Sequence, residues 1–136
     1  MPKDDAFLDA ATKGVVVVVK DYLQRELCQV DFENNKNQTA LILAAKNGRK
    51  EIVDVLVAHG SDVNRQNQFG YTPFIYSCEY GHSHVAISLI NAGCDHSLQN
   101  KERMTGMDYL IKRHQTKINE VQVTLFLTRP NVHSTH

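Results

Sequence analysis

The sequence predicts an all-α solenoid of about four stacked helix–turn–helix units with protruding hairpins, and three observations carry that prediction. First, residue types recur at a spacing of 33: Thr39, Thr72 and Thr105; Asn34, Asn67 and Asn100; Leu23, Leu56 and Leu89; and the pairs Gly48 and Gly81, Gly60 and Gly93, Asp62 and Asp95. Agreement among independent columns at one period marks a repeat array. Second, each period holds two short segments punctuated by glycine. Third, the second segment of each carries apolar residues at helical spacing: Ile52, Val53, Val55, Leu56 and Val57, then Val85, Ala86, Leu89 and Ile90. A unit of this kind cannot bury its own apolar face, so it must stack on its neighbours.

The elements come in chain order. The start, Met1-Pro2-Lys3-Asp4-Asp5, is acidic and lacks the flanks of a signal peptide. The run Val15 to Val19 reads either as a buried parallel strand, which would suggest an α/β enzyme, or as part of a helix. Leu23 keeps the 33-residue register and no Gly-rich phosphate turn follows, so a capping helix is expected. In Thr39-Ala40-Leu41-Ile42-Leu43-Ala44-Ala45 and Thr72-Pro73-Phe74-Ile75-Tyr76-Ser77-Cys78, a threonine N-cap opens a short helix. Pro73 occupies the first helical position, where its missing N–H costs nothing. Small residues come next, where helices must approach closely, and Gly48 and Gly81 stop these helices. Gly60 and Gly93 end the second helices. Turn-prone stretches such as Ser61-Asp62-Val63-Asn64 through Asn67-Gln68-Phe69-Gly70 suit a hairpin.

Length and charge narrow the function. A chain of 136 residues can bury a core without disulfides or metals. Its formal net charge is zero, which removes the broad attraction that drives binding to a phosphate backbone, so nucleic acid is not the expected partner. That zero is uneven: residues 1–34 carry a net −3, 35–66 +2, 67–100 −2 and 101–136 +3, and the third segment has no Lys or Arg. No stretch approaches the roughly 20 apolar residues of a membrane helix. Three cysteines, an odd number, fit a reducing compartment. A cytoplasmic location is expected, with nuclear entry open.

The stretch from Gly48-Arg49-Lys50-Glu51-Ile52-Val53 through Leu56-Val57-Ala58-His59-Gly60-Ser61-Asp62-Val63-Asn64 resembles the ankyrin-repeat signature nearly position by position. The resemblance covers full repeats at 34–66 and 67–99, with weaker capping repeats at 4–33 and 100–127. The domain is expected to span 1–129, with a loose tail at 130–136. Departures from the family pattern are specific. Ile42 and Ile75 stand where the family has His, while Asn37 and Arg103 replace the hairpin glycine. Arg103, with Gly106 in place of the helix-starting Pro, marks the last repeat as the expected weak point.

The candidate chemical sites have structural explanations. Cys28 and Cys94 fall in a column of small residues with Ser61, and Cys78 at a small position of a first helix, so all three are expected to be reduced, buried and inert. Cys28 and Cys94 lie two layers apart at roughly 8–10 Å per layer, beyond disulfide reach. His82-Ser83-His84 has a spacing that zinc tolerates, but no Cys-x-x-Cys or third ligand accompanies it, and His82 stands where the family usually has His. No nucleophile motif, phosphate loop or dinucleotide fingerprint is present, so neither enzymatic activity nor a cofactor is expected.

The resemblance implies a rigid concave platform whose partners are proteins. It places Lys36, Gln38 and Lys46 from one repeat on the concave side, then Phe69, Tyr71, Glu79 and Tyr80 from the next, and Met104, Lys112 and Arg113 from the last. By the same resemblance Tyr76 takes a core leucine position. The expected function is that of an adaptor or small regulator, monomeric when free, with an aromatic centre to its groove and mostly basic flanks. An enzyme or metal protein built in the groove, and a structural subunit of a permanent complex, are the alternatives.

Overall fold

A computed structural model describes residues 3–113 and 115–128, with side chains described over 4–113 and 121–128. The tail expected at 130–136 lies outside the described residues. Among these residues eight α-helices occur in order: α1 (Lys3–Lys13), α2 (Val16–Gln24), α3 (Ala40–Lys46), α4 (Lys50–Ala58), α5 (Pro73–Glu79), α6 (Ser83–Asn91), α7 (Gly106–Arg113) and α8 (Gln115–Thr128). No strand occurs among the described residues. The run at Val15 to Val19 is therefore helical from Val16 on, with Val15 as the residue before α2, Val19 buried and Val17 in solvent.

Each first helix packs on its second, as in α3 on α4 and α5 on α6, and the pairs stack in two parallel rows. The first helices form the row α1, α3, α5, α7, and the second helices the row α2, α4, α6, α8. The core lies between the rows. Ile52, Val53 and Leu56 of α4 are inside, as are Val85 and Leu89 of α6, so the apolar stripes read from the sequence face inward. A fully buried aliphatic side chain of this size contributes roughly 1.5–3 kcal/mol. Thr39 and Thr72 cap α3 and α5: their Oγ1 atoms accept from the Ile42 and Ile75 amides at 3.2 and 3.1 Å.

A second set of bonds ties the layers together. Arg49 Nε donates to the Thr12 carbonyl at 3.0 Å, His82 Nε2 lies 3.0 Å from the Lys46 carbonyl, and Arg113 Nη1 donates to the Glu79 carbonyl at 3.1 Å. Each side chain reaches back to the C-terminal end of the first helix in the layer before it. Orphan carbonyls are satisfied there, and the two arginines sit where the helix dipole favours positive charge. His82 thus has a structural role.

The last unit carries its own helix cap. Thr105 N donates to Asp108 Oδ2 at 2.9 Å while Asp108 N donates to Thr105 Oγ1 at 3.2 Å, a reciprocal capping box at the start of α7. Gly106 is buried for a packing reason: a Cβ there would lie 2.4 Å from a ring carbon of Phe74 and 2.9 Å from Cys78 Sγ. Only glycine lets α7 approach α5 this closely. Cys78 and Cys94 are buried as expected, whereas Cys28 is a correction. It is half-buried beside a cavity of about 540 Å³ that Asp4, Leu23, Glu26 and His59 also line.

Candidate functional site

The site begins with three asparagines spaced 33 residues apart. Asn34 Oδ1 accepts from the Lys36 and Gln38 amides at 2.9 and 3.0 Å, Asn67 Oδ1 from Phe69 and Tyr71 at 2.9 and 3.0 Å, and Asn100 Oδ1 from Glu102 and Met104 at 2.9 and 3.1 Å. Each asparagine also closes its hairpin through the backbone, for example Asn67 N to the Tyr71 carbonyl at 3.0 Å. Hairpins then join edge to edge: Gln68 N donates to the Lys36 carbonyl at 3.2 Å, and Lys101 N to the Phe69 carbonyl at 3.1 Å. Asn37, Gly70 and Arg103 stand at corresponding turn positions with φ of 59°, 79° and 64°. The left-handed backbone that the family meets with glycine is therefore kept, at some local cost for Arg103.

Between the hairpins and the C-terminal ends of α3, α5 and α7 lies a cluster of four tyrosines, on the side where the resemblance places the groove. Tyr71 on the hairpin stacks on Tyr76 of α5 with ring centroids 4.2 Å apart, and lies 6.1 Å from Tyr109 of α7. Tyr80 continues the stack at 6.1 Å from Tyr76. Such aromatic pairs add roughly 0.5–1.5 kcal/mol beyond area burial.

Most of the hydroxyls are engaged internally. Asn67 Nδ2 donates to Tyr76 Oη and Asn100 Nδ2 to Tyr109 Oη, both at 2.8 Å. Tyr71 Oη lies 3.0 Å from Tyr109 Oη and donates to Glu79 at 3.3 Å, and Tyr109 Oη donates to Glu102 at 3.2 Å. Burial, the Tyr109 hydroxyl and the negative charge of Glu79 push the Tyr71 phenol far above the ordinary tyrosine range. Lys46 Nζ sits 5.3 Å from the centre of the Tyr76 ring, a cation–π contact across the layers.

The residues expected at the groove divide into two groups. Phe69 and Tyr80 are the open aromatics, 52% and 44% exposed. Lys36, Lys112 and Arg113 are exposed as well. Gln38, Lys46, Tyr71, Glu79 and Met104 are half-buried. For Tyr71 and Met104 this changes the reading, because both pack against the core and are in part structural. Sequence reasoning missed Tyr109. It lies 33 residues after Tyr76, and that recurrence was the available signal. Among the described residues, no three His, Cys, Asp or Glu side chains come together as a metal site. No helix there is long and apolar enough to cross a membrane.

Stacked helical pairs, asparagine-braced hairpins and a groove along the first helices define a repeat platform of the ankyrin kind. The family model for ankyrin repeats, in three copies, matches residues 7–120, and the chain belongs to this family. It is similar to protein phosphatase 1 regulatory subunit 27 of Mus musculus, 29% identical over 101 residues that cover 74% of this chain and 66% of that protein. It is also similar to the E3 ubiquitin-protein ligase XBAT33 of Arabidopsis thaliana, 31% identical over 80% of this chain and 20% of the ligase. The inactive serine/threonine-protein kinase TEX14 of Mus musculus is 36% identical over 68% of this chain and 6% of that protein. The chain thus spans just under two thirds of the first of these relatives and a small part of the other two. Ankyrin repeats are a protein-interaction module, and partners of the family are other proteins.

Proposed function

We propose that this chain is an adaptor or small regulator, without catalytic activity of its own, that holds a partner protein in its concave groove. The observation that carries the reading is Tyr80, 44% exposed at the open end of the Tyr71–Tyr76–Tyr80 stack, with Phe69 open on the adjoining hairpin. Rigid aromatic anchors at the centre of a surface are what binding hot spots are made of, since little side-chain entropy is lost on contact. Occupancy alone is enough for such a role, because the partner is blocked or brought to another protein.

The same reading assigns one domain over 1–129, with repeats at 34–66 and 67–99 between caps at 4–33 and 100–127, acting as a monomer in the cytoplasm. Capture of the partner from the source cell, followed by titration of variants, tests it. Tyr80→Ala is expected to weaken binding by on the order of 2 kcal/mol, while Asp54→Arg on the exposed side of α4 leaves it unchanged. The reverse ranking would move the interface off the groove.

A further inference from the structure

The charges around the tyrosine cluster are arranged differently from most of those elsewhere on the molecule. Every ion pair among the described residues uses Lys13, Lys20, Arg25, Lys50 or Arg65 as its cation, and none of these lies on the groove. By contrast, Lys36, Lys46, Lys101, Lys112 and Arg113 have no carboxylate within ion-pair distance among the described residues, although four of the five are exposed. The groove's own carboxylates, Glu79 and Glu102, are turned to tyrosine hydroxyls instead. In a chain of zero net charge, these five cations and two carboxylates therefore carry an excess of three positive charges that no ion pair among the described residues compensates.

These cations also have a pattern. Lys36 and Lys46 belong to the layer before Tyr71, Tyr76 and Tyr80, and Lys101, Lys112 and Arg113 to the layer after them. Between them the hydroxyls of Tyr71, Tyr76 and Tyr109 are consumed internally. The centre thus offers a partner ring surface, from Phe69 and Tyr80 above all.

Resting on the concave-groove reading, we propose that the partner segment is acidic on both flanks and apolar in the middle: Asp, Glu or phosphorylated residues facing the two basic sides, and an apolar side chain between them against the exposed ring of Tyr80. Complementary charge would raise the association rate and fix the segment's position, while the central side chain would supply most of the affinity. Single-stranded nucleic acid fits less well. Tracking a phosphate backbone takes a continuous basic strip, and Glu79 and Glu102 interrupt this one.

A random peptide display library, selected on the full chain at low salt, tests the proposal. Enriched peptides should carry acidic residues around an apolar centre, and their binding should fall on the order of tenfold with Lys46→Glu and Lys112→Glu combined, and further as salt is added. Tyr80→Ala should also weaken them. Enriched peptides that are basic or uncharged, yet still lose binding with Tyr80→Ala, would overturn the acidic partner while leaving the groove reading intact. Peptides indifferent to Tyr80→Ala and to both lysine changes would overturn the groove itself. Absence of any enrichment would overturn a linear partner segment. A labelled oligothymidylate that binds and displaces the selected peptides would turn the assignment to nucleic acid.

Discussion

Replacing Tyr76 by Phe removes one oxygen atom and probes how the hairpins are held. That oxygen accepts from Asn67 Nδ2 at 2.8 Å, and Asn67 is 5% exposed, so no solvent can take the place of the lost partner. A buried donor left without an acceptor costs roughly 1–3 kcal/mol, against the smaller net value of an average hydrogen bond. The ring stays, and with it the stacking on Tyr71, so the expected loss for Tyr76→Phe is about 1.5 kcal/mol. In a chain of this size that corresponds to roughly 5 °C in Tm.

Asn67→Ala should cost more, because Asn67 Oδ1 also holds the amides of Phe69 and Tyr71. Combining the two changes should give less than their sum, with a coupling of about 1 kcal/mol, since the Asn67–Tyr76 bond can be lost only once. Urea unfolding with a constant m-value measures all three. The equivalent column of the preceding repeat supplies a natural contrast: Leu43 stands there, and Asn34, only half-buried, turns its Nδ2 to Gln38 at 3.5 Å. If Tyr76→Phe lies within about 0.3 kcal/mol of the parent and the two changes are additive, the bond does not brace the hairpin and the reasoning fails.

Gly106→Ala is expected to destabilise by about 1–3 kcal/mol, because the added Cβ meets Phe74 and Cys78; an unchanged urea midpoint would show that α7 can slide away from α5. A thiol reagent should modify native Cys28 first and Cys78 and Cys94 slowly, and burial, which pushes the Cys28 thiol up to about 11, should keep even its rate low at neutral pH and rising steadily in alkali. Glu33 is held below the ordinary carboxylate range by hydrogen bonds from Asn37 and Arg65, so its contribution to stability is fully present above its unfolded pKa and disappears as the pH falls through the lower folded value. Unfolding midpoints measured from neutral pH down through that acid range should therefore fall less steeply for Glu33→Gln than for the parent.

Most of the architecture could be read from residue spacing, because a 33-residue period is written into every column that the stack repeats. The threonine caps, the glycine stops and the inward faces of α4 and α6 are local consequences of residue type, and the structure shows each of them. What escaped was pairwise. Gly106 looked like a weak helix start, since nothing along the chain says that Phe74 and Cys78 will press on it. Tyr71 and Met104 looked like free contacts, because a position on the groove does not reveal how far a side chain leans into the core. Cys28 shares a column with Cys94, yet a cavity opens beside it that Asp4, Leu23, Glu26 and His59 also line, and nothing along the chain announces that gap. A period predicts which residues are equivalent; the ends of the array and the contacts between unlike residues depend on packing in three dimensions.

Site-specific photo-crosslinking tests the central claim, that a partner protein occupies the tyrosine-centred groove. A photoreactive phenylalanine placed at Phe69 or Tyr80, and as a control at Asp54, would be irradiated in the presence of the captured partner and the adducts sequenced. Crosslinks at Phe69 and Tyr80 to one continuous partner segment, with none at Asp54, are the expected result. Crosslinks at Asp54 with none in the groove would contradict the account.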